Sequence, residues 1–455
     1  MCVVCQTIYV GAAALTGILP IATPEPEVVA PSLTAVSQSA IQPTSIGGTA
    51  CKRVGQIRST TAGSFRCTNI GNRRVWRRSP SATATTTTTT TTTVPRLAND
   101  PRVTPSSNLS DASQCRMADI TNWVGQETSS GFPRNVWRPT TLGQIRVLLL
   151  PIVLTDLPFR DADLDRARQN SEKIRDYFRS VSYGKAEVVM TVADRENWVQ
   201  LNGSTTDYRL FGSHGTDQTA FMSEVFARSS PSLKLSSYDV IAVQSGWDQR
   251  GYFGQGFPLS DATAFRTPSG TVRSATFVGG WNAFGWNALA HDLGHSWLGF
   301  EDLYHFTDSA SKPFGRWDLM NDASSPGMEL TFWHRFLAGW VVDSQVRCIP
   351  RSSSKTVHFL SALPAKNDLP KGVAYLLSAG RMLVVESRRP GGFDSAGSTA
   401  LVYVVDTNIP HSQAPFRLVG ELTSIGQQVS VSGADVLLLD AGESGDLISV
   451  SIGSG

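Results

Sequence analysis

Little in this sequence points to a nucleic acid or a membrane as partner. The 455 residues include 40 basic and 38 acidic side chains, so the formal net charge is only +2. A net charge this small provides no field that would attract a polyanion or a lipid surface. Beyond residues 8–22 no run is long and apolar enough to cross a bilayer, and no internal repeat of fixed period is present. We therefore expect no nucleic acid partner and no transmembrane anchor.

Basic residues are also missing from the first part of the chain, where residues 8–22 form an apolar stretch. Its length suits the hydrophobic region of an export signal and is too short to span a bilayer. No Lys or Arg precedes it and Pro20 interrupts its end, so a buried structural segment is the alternative. We interpret residues 1–22 as a signal segment and residues 23–50, rich in Pro, Ser, Thr and Ala, as a flexible leader. The protein is then expected to be secreted and extracellular.

Cysteine is scarce, with six residues in the whole chain. The first two form a C-x-x-C pair that has no second pair to complete a zinc site and would leave with the signal segment. The other four are widely spaced, which in an exported chain favours disulfides over thiolate metal sites. We predict bridges between Cys51 and Cys67 and between Cys115 and Cys348. Free buried thiols are the alternative.

Residues 51–79 contain two cysteines, Gly turns and a cluster of arginines around Trp76, without an acidic residue. They resemble a small two-cysteine module found near the front of many secreted bacterial proteins. Contact between the arginines and an anionic cell-wall polymer is one interpretation, and a solvated face is the other. Nine consecutive threonines, Thr85–Thr93, follow in a polar tract that buries nothing, so residues 80–110 are interpreted as a Thr-rich linker.

From residue 111 on the sequence is typical of a globular α+β protein, and a hydrophobic content of 41% is enough for a sizeable core. Ile145–Leu154 is an apolar run expected of a strand buried on both faces, and Asp163–Val181 has apolar residues at helical spacing. Strands are also predicted at 187–192 and 239–244, a second helix at 218–228, and a helix carrying a histidine pair from about Asn282.

After Cys348 the pattern changes to short alternating strands separated by Gly, Pro and Asn. We therefore predict a mixed α/β domain over residues 111–345 and a β-rich C-terminal domain over residues 346–455. The strands expected in the second domain lie at 356–360, 373–378, 382–386, 400–405, 436–439 and 447–452.

Only seven histidines occur, and two of them, His291 and His295, stand four residues apart shortly before Gly299. At that spacing both imidazoles project from one helical face and can reach a single metal ion, and Gly299 then ends the helix. Catalytic zinc needs three protein ligands and a base nearby. Asp302 is the predicted third ligand, and Asp292 stands where the base is expected. The alternative is an ordinary amphipathic helix with two polar spots and a carboxylate at its end.

These residues resemble the immune inhibitor A type of secreted bacterial zinc metallopeptidases. The similarity extends over roughly residues 111–455 and includes Tyr177–Phe178, Ser182–Lys185, Gly315–Met320, Phe332–Arg335, Gly339–Trp340, Leu383–Arg388 and Ala400–Asp406.

The resemblance implies a zincin-like metallopeptidase domain, a mixed sheet plus a metal-site helix, followed by a β-rich C-terminal lobe. It implies an exported endopeptidase that hydrolyses protein or peptide substrates with a catalytic Zn²⁺ ion. Its ligands are carried onto His291, His295 and Asp302, and its general base onto position 292. Met320, in the Met-turn Gly315–Met320, is expected to pack under the metal site rather than bind the metal.

The sequence departs from the family pattern in two places. One more residue than usual separates His295 from Gly299, which makes Glu301 the fallback for Asp302 as the third ligand. Asp292 replaces the usual Glu, and its carboxylate is about 1 Å short, a misplacement that costs about a hundredfold in rate, or roughly 2.7 kcal/mol.

Two functions therefore stay open at this point, an attenuated zinc endopeptidase and a catalytically weak or inactive zinc-binding pseudopeptidase that acts as an extracellular or cell-wall binding protein. Glu329 is a substitute candidate for the base, and Tyr304 and His334 are candidates for holding the oxyanion. An acidic cluster at residues 156–165 lacks the loop glycine and spacing of a calcium-binding EF-hand, so we interpret it as a helix start.

Overall fold

The structure is a computed structural model, and it describes residues 54, 57–60, 63–70, 73–78, 96–119, 128–134, 137–210, 215–248, 254–260, 263–281, 285–305, 311–410 and 413–453. The described residues belong to two compact units, one formed by the strands between residues 57 and 78 and the other by everything from residue 96 on. No helix among these residues is long and apolar enough to cross a membrane. The predicted signal segment and leader lie outside the described residues.

The N-terminal unit is a three-stranded antiparallel sheet in the order β1-β2-β3. Its strands are β1 (Ile57–Thr60), β2 (Gly63–Ile70) and β3 (Arg73–Arg78). Cys67 is buried and disulfide-bonded, but Cys51 lies outside the described residues, so their pairing stays a prediction. Trp76 lies opposite Cys67 and is only 6% exposed, so its ring offers almost no surface to a cell-wall polymer.

The second unit is built around a six-stranded sheet with the order β5-β4-β7-β11-β8, in which a short strand β6 also pairs with β4. Five strands run parallel and the edge strand β8 runs antiparallel to β11. Its elements are β4 (Gly143–Val153), α1 (Asp161–Val181), β5 (Ala186–Val192), β6 (Val199–Gln200), α2 (Gly215–Arg228), β7 (Val240–Asp248), β8 (Gln255–Pro258) and β11 (Ser274–Trp281).

Strand β4 is buried on both faces from Val147 to Ile152, where its sequence is apolar. Val147 and Leu149 face the core on the α1 side, with Phe178, whereas Leu148 and Leu150 face a second core on the α2 side, with Phe226. A strand covered on both faces buries every side chain, so alternation disappears. The predicted elements β4, α1, β5, α2 and β7 are confirmed, and the fold is mixed α+β.

One expectation about this region was wrong, and the strands β6, β8 and β11 and a hairpin were not predicted. The histidine helix α3 (Trp286–Leu293) begins about four residues later than predicted, because Gly285 has φ 53° and ψ −127°, which is not helical. A small hairpin, β9 (Phe265–Thr267) with β10 (Gly270–Val272), precedes β11 and was not predicted. Its strands of three residues are too short for a recognisable alternation.

The C-terminal part consists of two antiparallel-rich sheets, with orders β12-β14-β15-β16-β17 and β13-β20-β19-β18. They follow the short helix α4 (Phe332–Leu337). Their strands are β12 (Val346–Ile349), β13 (Lys355–Ser361), β14 (Gly372–Ser378), β15 (Arg381–Arg388), β16 (Thr399–Asp406), β17 (Phe416–Leu422), β18 (Gln428–Val431), β19 (Ala434–Gly442) and β20 (Gly445–Ile452). All six predicted strands are present, and β12, β17 and β18 were not predicted.

The five-stranded sheet belongs to two cores at once. On β15, Leu383 and Val385 face the other C-terminal sheet, whereas Met382 and Val384 pack into the core that also contains α1 and α3. Because side chains alternate between the two faces of a strand, one face of this sheet packs into the same core as the histidine helix. The predicted disulfide between Cys115 and Cys348 is confirmed, with Cα atoms 5.9 Å apart, and it joins β12 to the segment that precedes β4.

Candidate metal centre

The histidine helix changes its winding in the middle of the motif. Helix α3 continues into a π-helical turn over Gly294–Leu298, and Gly299 ends it with φ 74°. A π-helical turn accommodates one additional residue within an α-helix and is frequent at functional sites. This turn therefore contains one residue more than an α-helical turn would between His295 and Gly299, and the chain can still turn back toward the histidines.

Three side-chain atoms meet at the end of this helix. The Nε2 atoms of His291 and His295 are 3.1 Å apart, and Asp302 Oδ1 lies 3.1 Å from the first and 3.3 Å from the second. His291 is 2% exposed, and His295 and Asp302 are fully buried. The two imidazoles and Asp302, eleven and seven residues apart in sequence, form a compact triangle.

Backbone carbonyls orient both imidazoles. His291 Nδ1 donates to Leu319 O at 3.0 Å, and His295 Nδ1 donates to Phe300 O at 2.7 Å. Because a carbonyl only accepts, the proton of each neutral ring lies on Nδ1, and each Nε2 carries a lone pair. Metal-bound histidines almost always have such a partner on the other ring nitrogen.

The triangle has the size of a tetrahedral zinc site. Two ligands bound at about 2.0–2.1 Å to one tetrahedral ion are about 3.3–3.4 Å apart. The three separations here are 3.1, 3.1 and 3.3 Å, and within the described part of the chain neither Asp302 oxygen receives a hydrogen bond. Lone pairs that face one another in a buried space repel unless a cation lies between them. The residues present therefore fit a divalent metal ion.

The charge of Asp302 suits this role. Burial opposes its ionisation, but the two neighbouring imidazoles outweigh burial and hold the pKa of Asp302 below its usual value. For His295 burial works to lower the pKa, and the charge of Asp302 outweighs that effect and raises it. A metal ion bound here would displace the proton of His295, and an ionised carboxylate with two neutral imidazoles is then a donor set that zinc accepts.

Asp292 lies beside the triangle without joining it as closely. Its carboxylate comes within 4.8 Å of both imidazoles, and the side chain is 1% exposed. Burial raises the pKa of Asp292 to about 8; His291 opposes the rise, and the charge of Asp302 adds to it. In the part of the chain that the structure covers, Asp292 Oδ1 has no hydrogen-bond partner, so one oxygen is available to a water molecule.

The other carboxylates considered from the sequence are occupied elsewhere. Glu301, the fallback ligand, accepts a hydrogen bond from Thr128 Oγ1 at 2.6 Å. Glu329, the substitute base, forms a buried ion pair with Arg335 at 2.5 Å and also accepts from the Phe393 backbone. Both carboxylates therefore have hydrogen-bond partners outside the triangle of His291, His295 and Asp302.

Of the two candidates for holding an oxyanion, only Tyr304 lies next to a metal-binding candidate. Its ring stacks beside that of His291, with centroids 6.4 Å apart. His334 is fully buried and donates from Nδ1 to Asp318 at 2.8 Å.

The acidic cluster at residues 156–165 lies at the start of helix α1. The backbone N–H of Arg160 donates to the Asp163 side chain, which is a helix-start interaction and agrees with the interpretation of that cluster.

Met320, the residue assigned to the Met-turn, packs against the histidine helix. Its Sδ lies so close to Gly294 that a Cβ built on that glycine would be 2.3 Å from the sulfur. The turn also accepts hydrogen bonds from both sides of the site, at Leu319 O from His291 and at Met320 O from the Leu303 backbone.

Sequence reasoning missed residues 128–134 and 137–138, which contribute side chains to the end of the histidine helix. Arg134 donates to Trp297 O at 2.6 Å and to Leu298 O at 3.0 Å, and Arg138 donates to Ser296 O at 3.2 Å. The last carbonyls of a helix have no hydrogen-bond donor within the helix, and here basic side chains donate to them. The contacts join residues about 160 positions apart, so no local spacing could have indicated them.

Comparisons with known proteins add little to this picture. No protein-family profile and no curated protein matches the chain. Among solved structures, the chain is similar to metalloproteinase-II from Bacteroides fragilis at 14% sequence identity and a TM-score of 0.27, over 44% of this chain and 54% of that one. The chain thus spans about half the length of that protein, and the likeness is too weak to carry an argument.

Proposed function

We propose that this protein is a secreted zinc-dependent endopeptidase that hydrolyses protein or peptide bonds. The observation that carries the proposal is the triangle of His291, His295 and Asp302, whose separations of 3.1, 3.1 and 3.3 Å match the edges of a tetrahedral zinc site. The neighbouring base candidate, Asp292, extends the proposal from metal binding to hydrolysis. Secretion rests on the apolar stretch at residues 8–22.

The proposed roles follow from the geometry. Zinc, when bound by His291, His295 and Asp302, supplies Lewis-acid polarisation of the scissile carbonyl and makes water more acidic. Asp292 takes a proton from the attacking water and returns it to the leaving amine. The carbonyls of Leu319 and Phe300 keep the imidazoles in the tautomer that presents Nε2. Tyr304, beside His291, is the candidate for contacting the developing oxyanion.

A second candidate, an inactive or weak zinc-binding pseudopeptidase that binds extracellular or cell-wall material, is favoured by one observation. His291 and Asp292 are only 2% and 1% exposed, so the site presents almost no surface to a substrate. Aspartate in place of glutamate also shortens the side chain of the base candidate at position 292. An active peptidase therefore requires an opening of the site wide enough for a peptide chain.

The deciding experiment measures cleavage of casein and of a quenched fluorescent peptide library by the purified full chain. Wild type is compared with and without a chelator, then after zinc is restored, alongside Asp292→Glu and Asp292→Asn. An endopeptidase loses activity with the chelator and regains it with zinc; Asp292→Asn is inactive and Asp292→Glu is faster. Stoichiometric zinc with no cleavage by wild type or Asp292→Glu establishes the pseudopeptidase, and a protein without zinc overturns both functions.

A further inference from the structure

Asp318 of the Met-turn is hydrogen-bonded to His334 of helix α4, and ordinary packing does not require this buried pair. Asp318 and His334 are both fully buried, and His334 Nδ1 donates to Asp318 Oδ2 at 2.8 Å. The same carboxylate accepts from the Met320 backbone at 2.8 Å and from the Thr331 backbone at 2.7 Å. Burial opposes the ionisation of Asp318, and His334 with these hydrogen bonds outweighs it and keeps the pKa of Asp318 low.

Asp318 also has an unusual backbone conformation, with φ 70°. A residue other than glycine is disfavoured there unless its surroundings fix it, and Asp tolerates the conformation better than most because its side chain bonds to nearby backbone. The hydrogen bond from the Met320 backbone to Asp318 Oδ1 is of this kind. The carboxylate therefore sets the shape of the turn that contains Leu319 and Met320.

That turn supports two of the three metal-binding candidates. Leu319 O accepts from His291 Nδ1, and Met320 O accepts from the backbone of Leu303, the residue after Asp302. A change in the turn would move both supports together. Asp318 touches none of the three ligands itself, so its effect on them is transmitted through backbone.

His334 supports the third metal-binding candidate, His295. Its ring stacks on Phe300 with centroids 4.2 Å apart and an angle of 14° between planes, and Phe300 O accepts from His295 Nδ1 at 2.7 Å. Within the described residues His334 Nε2 has no hydrogen-bond partner, so the ring is held by its bond to Asp318 and by its packing between Phe300 and Phe416. One buried pair thus holds the two carbonyls that orient both imidazoles.

We propose that Asp318 and His334 are positioning residues that fix the geometry of the metal centre through the Leu319 and Phe300 carbonyls. The inference rests on the proposed metal binding and goes beyond the ligands and base. Outer-layer partners of metal ligands change metal affinity by about 10–100-fold when they are replaced. We expect effects of that size from this pair, without any change in the ligands.

The test compares zinc affinity, by competition with a chelator, and the visible absorption of the cobalt-substituted full chain. Asp318→Asn keeps the Oδ1 acceptor for Met320, but its Nδ2 accepts from neither Thr331 nor His334. His334→Phe keeps the stacking on Phe300 but loses the bond to Asp318. Asp446→Asn is the matched control, because Asp446 is 1% exposed and ion-paired with Arg389 in the C-terminal sheet.

We expect the first two variants to bind zinc about 10–100-fold more weakly and to change the cobalt spectrum, while Asp446→Asn leaves both at wild-type values. Wild-type affinity and spectrum in folded Asp318→Asn and His334→Phe overturn this inference alone. Should Asp318→Asn not fold, His334→Phe decides the matter, because it leaves both backbone hydrogen bonds of Asp318 in place. A wild-type chain that binds no zinc overturns the proposed function and this inference together.

Discussion

Gly254 leaves the space that Asp292 occupies. A Cβ built on Gly254 would stand 2.3 Å from Asp292 Oδ2 and 3.3 Å from its Cγ. Gly254 directly precedes the edge strand β8, so the backbone at this edge lies in contact with the carboxylate. The carboxylate of the base candidate therefore fits because Gly254, just before the neighbouring strand, has no side chain.

Replacing Gly254 with Ala should displace the Asp292 carboxylate while leaving the metal ligands in place. A shift of about 1 Å in a catalytic group costs about a hundredfold in rate. We expect kcat for peptide cleavage to fall by about 10–100-fold with unchanged zinc content. Steady-state kinetics together with metal analysis of the same preparation provide the measurement.

Gly256→Ala is the matched contrast. A Cβ at Gly256 would lie 2.5 Å from His295 Cβ and 3.0 Å from the Asp292 backbone oxygen, so this variant displaces a metal-binding candidate that a Cβ at Gly254 does not meet. It should lose zinc affinity as well as activity. If the two variants behave alike, with both losing zinc or both keeping full activity, the assignment of separate roles to Asp292 and His295 is contradicted.

Gly294→Ala should destabilise the whole site. Its Cβ would meet Met320 Sδ at 2.3 Å and Cε at 3.0 Å, and Met320 is fully buried. Added volume in a tightly packed core typically costs about 1–3 kcal/mol. We expect a lower midpoint in thermal or urea unfolding, and the double variant Gly294→Ala with Met320→Leu should recover part of it. No loss of stability in the single variant would show that the helix and turn are free to move apart.

The motif and its surroundings differ in how far the sequence alone could predict them. The histidine spacing and the apolar run of β4 are local signals, and both gave correct elements. The π-helical turn had a visible trace, the extra residue before Gly299, but spacing does not say how a chain absorbs an insertion. No local sequence pattern indicated the pairing of Asp318 with His334, because a buried pair depends on how distant segments fold together.

The C-terminal sheets illustrate the same limit. The six predicted strands have seven to nine residues with alternating or continuous apolar runs, whereas β17, with mostly half-buried residues, and the four-residue strands β12 and β18 give a weaker signal. That Met382 and Val384 pack into the core of the histidine helix, and Leu383 and Val385 do not, follows from where the sheet lies. Periodicity separates two faces but does not identify what covers each.

Loss of the Cys115–Cys348 bridge should lower stability substantially. The bridge closes a loop of 233 residues that contains the whole candidate metal centre, and both cysteines are buried. Removing a native disulfide typically costs about 2–5 kcal/mol, more for longer loops in the chain-entropy account. Urea unfolding of Cys115→Ser with Cys348→Ser should show this loss, and a reducing agent should lower the midpoint of wild type much more than that of the variant. Equal midpoints for wild type and variant would contradict a stabilising bridge.

His358 should make the folded chain sensitive to mild acid. Burial, with the charge of Arg347 adding to it, lowers the pKa of His358 to about 3, and its Nδ1 accepts from Arg347 Nε at 3.3 Å. In the unfolded chain histidine titrates near 6.5, so the unfolded state binds one proton more between these values. The contribution of His358 to stability is complete above pH 6.5 and is lost as the pH falls toward 3.

The slope is about 1.4 kcal/mol per pH unit, or roughly 2 kcal/mol between pH 6.5 and pH 5. His358→Asn retains an acceptor for Arg347 but does not titrate, so its unfolding free energy should fall less steeply over the same range. Urea unfolding of both proteins at half-unit steps from pH 7 to pH 5 isolates this difference, since shared carboxylates cancel between them. A difference between the two proteins that stays constant from pH 7 to pH 5 would mean that His358 already binds its proton in the folded state.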